Sequence, residues 1–102
     1  MARAVDCAEG VAMCIGNLAN LALDRKDWLA AETLAHEALA LSEEVQRQEL
    51  IALDRHRLAK ALVRQGKAAE ALPHAKCAVD IFTRLGSPHL EKARATLREC
   101  EG

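Results

Sequence analysis

LANLALDRKDWLAAETLAHEA, residues 18–38, is answered forty residues later by LAKALVRQGKAAEALPHAKCA, residues 58–78. At that shift Leu18 meets Leu58, Ala19 meets Ala59, Ala31 meets Ala71, Ala35 meets Ala75 and Ala38 meets Ala78. Outside the two stretches, Val5 meets Val45 and Ala12 meets Ala52. The matched residues are apolar and mostly small. A period of this length marks one supersecondary unit stacked on copies of itself, because a single unit cannot bury its own apolar face. Such chains are scaffolds that present a surface.

Helical periodicity runs through both copies, and strict alternation never persists. Val5, Ala8, Ala12, Ile15, Leu18, Ala19 and Ala22 recur at steps of three and four and predict a first helix over about residues 5–25. Gly10 and Gly16 weaken it, and Gly16 is expected at a point of close packing. The polar run Asp24-Arg25-Lys26-Asp27 reads as a turn, with Asp27 accepting from the free amides of the next helix. That second helix runs from Trp28 to about Glu44. Trp28 is expected to plug the junction of the first pair. Residues 45–48 hold neither Gly nor Pro, so a turn and a continuous bent helix both fit.

A third helix is expected over about residues 49–65, ended by Gly66, and a fourth from Lys67 to about Leu85, ended by Gly86. Pro73 falls in the second turn of the fourth and removes one backbone hydrogen bond. Ser87 as N-cap and Pro88 at the first helical position restart the chain, and Leu90, Ala93 and Leu97 mark a fifth helix to about Cys100. It has no partner helix and reads as a cap over the second pair. The reading is one all-α domain over residues 1–102, with repeats at about 8–45 and 48–85 and a capping helix at about 88–100.

Composition agrees. Half of the 102 residues are hydrophobic, yet one Trp and one Phe are the only aromatics of the Phe, Trp and Tyr set, so the core must be Ala, Leu and Val. Fourteen basic against fifteen acidic residues leave a net charge of −1 and no global attraction to nucleic acid. A nucleic-acid surface built on Arg55, Arg57, Lys60 and Arg64 would lack stacking aromatics. No basic leader precedes an apolar segment and no apolar run is long enough to span a bilayer, so neither a secretory signal nor a membrane helix is expected, and a cytoplasmic location is. Cys7, Cys14, Cys77 and Cys100 lack metal-site spacing and are expected as reduced, partly buried thiols. A redox-responsive role for Cys7 and Cys14 would require both to be exposed. His74 and Cys77 make only two of the ligands a zinc site needs. Nothing places a base beside a thiol or cradles a phosphate, so no enzyme, metal or cofactor is expected.

These features resemble the tetratricopeptide repeat (TPR), a helix-turn-helix unit. Leu18-Ala19, Lys26-Asp27-Trp28 and Ala31, Ala35 and Ala38 resemble its pattern once, and Leu58-Ala59, Gly66-Lys67-Ala68, Ala71, Ala75 and Ala78 resemble it again. Ala71-Leu72-Pro73 is similar to a frequent proline-bearing form of the second helix. The forty-residue period exceeds the roughly 34 of standard repeats and looks like the longer variety of bacterial signalling ATPases and transcription regulators. The bulky aromatic usual later in the second helix is replaced by Ala35 and Ala75. The resemblance implies a right-handed array of two antiparallel helix pairs plus the capping helix, acting as a non-enzymatic module for protein–protein interaction. Its ligand would be a peptide or partner helix held in the groove lined by the first helices.

Carried over by position, the groove residues are Asn17 and Asn20 of the first helix and His56, Arg57, Lys60 and Arg64 of the third. Arg57, Lys60 and Arg64 stand at i, i+3 and i+7, gathering three cations on one face. Asn side chains can grip a peptide backbone and basic ones a carboxylate, so an acidic segment or a chain-terminal carboxylate is the expected ligand. Gly16 stands where a carboxylate-clamp lysine would be expected, which counts against the terminal carboxylate. Two repeats fall short of the three or more that repeat arrays usually need. A homodimer is therefore expected on equal terms with a monomer, and the alternative reading of the chain is a regulatory fragment of a larger signalling or transcription-regulator protein, self-associating through its unpartnered ends.

Overall fold

In the computed structural model of this protein the described residues are 4–102, with side chains described from Glu9 onward. The side chains of Val5, Cys7 and Ala8, read above as helix face and thiol, fall outside them. Five helices follow one another: α1 (Ala4–Asp24), α2 (Trp28–Val45), α3 (Gln48–Arg64), α4 (Ala68–Leu85) and α5 (Leu90–Glu101). No strand occurs among the described residues.

The turns keep a strict metre. Left-handed backbone occurs at Lys26 (φ 61°), Gln46 (φ 57°), Gly66 (φ 79°) and Gly86 (φ 63°), one every twenty residues. Each of the first four helices ends by folding its last carbonyls onto amides beyond it: Asp27 N–H donates to Ala22, Arg47 to Ser42, Lys67 to Leu62 and Ser87 to Phe82. The forty-residue repeat is therefore two twenty-residue halves. This resolves the boundary at residues 45–48 as a turn: Gln46 takes the left-handed conformation that Gly66 and Gly86 take later. A side chain there is strained by about 1 kcal/mol, so Gln46→Gly should raise unfolding stability by about 0.5–1 kcal/mol in a denaturant titration.

At the helix starts, Asp27 Oδ1 accepts from Ala30 N–H at 3.3 Å and caps α2. Ser87 caps a turn and not α5 itself: its Oγ accepts from His89 N–H at 3.2 Å, Pro88 sits inside that turn, and the helix begins at Leu90. α4 passes through Pro73 unbroken.

Each helix packs on the next, and in addition α1 touches α3 and α3 touches α5, while α2 and α4 do not meet. So α1, α3 and α5 form an inner layer, and α2 and α4 lie outside it. Alanine makes this possible. Ala31, Ala35, Ala38, Ala52, Ala59, Ala61, Ala71, Ala78 and Ala93 are all fully buried, and their small side chains let backbones approach. Leu58 sits in the main cluster with Ala35 and Leu39 of α2 and Ala71 and Ala75 of α4. Phe82, with Ala52 and Ala93, fills the junction with α5. Trp28, half-buried, packs with Ala22, Leu23 and Ala61 at the α1–α2 turn.

One residue departs from the expected face. Leu18, counterpart of the fully buried Leu58, is half exposed. The reason is positional: Leu58 is covered by α2, and no described helix precedes α1 to cover Leu18 in the same way.

Candidate functional site

The inner layer encloses a cavity of about 320 Å³. α1 contributes Asn20, Leu23 and Asp24 to its wall, α3 contributes Leu53, His56, Arg57 and Lys60, the turn before α5 contributes His89, and α5 contributes Lys92. The positions follow from helical spacing: Leu53, His56, Arg57 and Lys60 stand at steps of three and four on one side of α3, away from the Ala52, Ala59 and Leu62 row that packs on neighbouring helices. Asp24 is the single acidic member. Among the described residues Lys60 and Lys92 form no ion pair, whereas Arg64, Arg94 and Arg84 are paired to Glu99, Glu91 and Asp80.

His56 is a half-buried polar group of the wall. Its Nε2 lies 2.9 Å from Thr96 Oγ1 of α5, and the threonine hydroxyl reaches the Lys92 carbonyl oxygen at 3.3 Å. With that hydroxyl donating to the carbonyl, the imidazole N–H donates to Thr96. Burial pushes the His56 pKa down to about 4, and the nearby charges of Lys60, Arg57, His89 and Lys92 push it the same way. The imidazole is therefore neutral at pH 7 in a field that favours anions. His89 rests against the buried Phe82, ring centroids 5.7 Å apart.

Arg57 has a second role that its place in the basic face conceals. Its Nη1 donates to Asp54 Oδ1 at 2.8 Å and its Nε to Asn20 Oδ1 at 3.0 Å. Asp54 is 2% exposed, and its other oxygen accepts from Ser42 Oγ of α2 at 2.6 Å. One network thus ties α1, α2 and α3 together, with Arg57 at its rim. Burial raises the Asp54 pKa above its ordinary value against the opposing pull of Ser42 and Arg57. Gly16 makes room for the guanidinium: a Cβ there would stand 2.5 Å from Arg57 Nη1. The close packing expected at Gly16 is thus to an arginine. Alanine at 16 would gain about 1 kcal/mol of helix propensity but push the guanidinium off Asp54 and Asn20. We expect Gly16→Ala to lose about 1–2 kcal/mol net, read from the denaturation midpoint.

Of the six groove residues expected from the sequence, the fold brings Asn20, His56, Arg57 and Lys60 to one cavity. Asn17 is exposed on α1 outside its wall, and Arg64 Nη2 lies 3.1 Å from Glu99 Oε1 of α5. His89 and Lys92 were not among the expected residues. Leu90, Ala93 and Leu97 mark the helix face that packs, and α5, read as a cap, joins the inner layer through its contact with α3, which brings the residues beside that face to the cavity. Elsewhere, Cys14 is exposed, Cys77 half-buried and Cys100 buried, all three as free thiols.

A family model described as tetratricopeptide repeat matches residues 10–84. The chain belongs to the tetratricopeptide repeat family. The match covers both helix pairs of this TPR array, from the second turn of α1 to the last turn of α4. No curated protein and no solved structure matches the chain. As a TPR domain it is in general a protein-interaction module. No helix of the described residues is long and apolar enough to cross a membrane.

Proposed function

We propose that this TPR domain, its two helix pairs (about residues 8–45 and 48–85) and closing helix acting as one module, binds an acidic peptide segment or partner helix in the concave face of α1, α3 and α5. The observation that carries the reading is the pairing state of the cavity's lysines. Lys60 and Lys92 line a shared recess with one acidic wall residue and, among the described residues, have no ion-pair partner. An incoming carboxylate would supply the missing counter-charge and also lower the energy of a proton on His56. Asn20 and His89 offer hydrogen bonds to a peptide backbone, and Leu23 and Leu53 give an apolar floor. Arg57 serves mainly as a positioning residue, since its guanidinium is already engaged by Asp54 and Asn20. The reading places the module inside the cell and asks for neither metal nor cofactor.

Binding of a glutamate-rich peptide, followed by fluorescence anisotropy, should weaken as salt rises from low to moderate concentration and be lost in Lys60→Glu/Lys92→Glu. Equal binding by that variant would refute the reading. The same titration with duplex DNA should show no comparable affinity.

A further inference from the structure

Between Gly10 and Leu23 α1 carries no charged residue. In a helix half open to solvent this is unusual, and the open half is apolar. Val11, Met13, Leu18 and Leu21 are each 48–52% exposed, and Cys14 is exposed among them. Val11, Cys14, Leu18 and Leu21 stand at i, i+3, i+7 and i+10, one continuous stripe, with Asn17 set between Cys14 and Leu21 in the helical net. Such a stripe is the pattern by which one helix seats on another.

The internal repeat supplies a template for this face. Forty residues on, the same stripe is Ile51, Asp54, Leu58 and Ala61 of α3, and it is covered: Asp54 by Ser42, Leu58 by Ala35 and Leu39, Ala61 by Ala31, all of α2. The α1 stripe is thus a helix-docking face with its cover missing among the described residues. A second copy of the chain cannot cover it head to tail. The corresponding faces of α2 and α4 are already occupied by α3 and α5, and the exposed side of α5 away from the cavity carries Glu91, Arg94 and Arg98. The matching surface that a second copy does leave free is the α1 stripe itself.

We propose that two copies of this chain associate through α1, stripe against stripe about a two-fold axis. An uncharged face is complementary to itself, whereas any charged helix set against it would lose solvation without gaining a partner. A two-fold contact also closes, leaving no end for further growth. Val11, Leu18 and Leu21 are each about half exposed along the stripe. A contact made by one helix of each copy is small for a specific interface, so the dimer should be reversible. Asn17, near the middle of the stripe, can pair with its symmetry mate and fix the register. This interface is independent of the concave face, which stays open in the dimer.

The test is molecular mass by light scattering across a dilution series up to millimolar concentration, with alkylation of Cys14 read in parallel by peptide mass spectrometry. The expected result is a mass that doubles as concentration rises, Cys14 becoming protected over the same range, and both effects absent in Leu18→Glu/Leu21→Glu. Those positions are solvent-facing, so the variant should keep its helical circular dichroism. A mass that stays monomeric at the highest concentration with Cys14 equally reactive throughout would overturn the proposal and assign the face to a helix from elsewhere. A dimer persisting in the charged variant would likewise overturn it.

Discussion

Replacing Asp54 by alanine should cost about 3 kcal/mol of folding stability, the largest loss expected from any single polar residue of this chain. The carboxylate is 2% exposed and satisfies the fully buried Ser42 hydroxyl and the Arg57 guanidinium, itself only 14% exposed. Removing it strands the hydroxyl and leaves the guanidinium short of its counter-charge. Part of the loss is recovered because Arg57 keeps Asn20 and reaches the edge of the cavity, which sets the figure at the low end of the range for broken buried pairs. Asp54→Asn should cost less, about 1–2 kcal/mol, since an amide can still accept from one of the two donors and carries no charge to desolvate. The raised pKa of Asp54 gives a sign to check. An acid whose folded pKa lies above its unfolded one favours the fold most at pH below the unfolded value, and that contribution declines as pH rises through the folded value. Asp54 therefore does not drive acid unfolding, and chemical denaturation of the two variants at pH 7 measures its worth.

Acid sensitivity should come from His56. Its folded pKa of about 4 lies below the ordinary 6.5, so the unfolded chain binds a proton that the folded chain refuses. The stability this residue contributes is complete above pH 6.5 and is lost as pH falls from there to 4. A shift of that size corresponds to about 3 kcal/mol at most. His56→Gln keeps a donor for Thr96 and removes the titration. Its stability should fall less than wild type between pH 6.5 and 4, by about 2–3 kcal/mol, measured by urea denaturation at stepped pH. Parallel curves for the two proteins would contradict the placement of His56. A bound carboxylate would oppose the depression, so ligand affinity should increase as pH is lowered toward 5 for wild type and not for His56→Gln.

The helices were legible because their signals are local. Asp27, Gly66 and Gly86 mark ends that the structure keeps, and the alanine rows mark faces that are buried. The α2–α3 break was not decided, because Gln46 adopts left-handed backbone without being the residue that tolerates it. Leu18 was misplaced for the opposite reason. Its periodicity is that of a buried residue, and only the layout of neighbouring helices says whether anything covers it. Asp54 stands four residues from Leu50 and four from Leu58, so a charge inside an apolar row was visible in the sequence. Its partner Ser42, twelve residues away on another helix, was not. The same limit hid the division of labour within the basic face. Arg57, Lys60 and Arg64 look equivalent at steps of three and four, yet Arg57 holds Asp54, Arg64 lies against Glu99, and Lys60 has no ion pair among the described residues. Charge reversal at Arg57 would test the core as much as the groove.

The central claim is that the concave face of this TPR domain selects an acidic partner through Lys60 and Lys92. The most direct measurement is quantitative affinity capture from the source cell's lysate, comparing wild type, Lys60→Glu/Lys92→Glu, and Lys76→Glu, which reverses an exposed charge on α4 outside the cavity. The account predicts that one set of acidic proteins is recovered equally by wild type and Lys76→Glu and lost from the double variant, with circular dichroism unchanged in all three. Recovery of the same proteins by the double variant would contradict it.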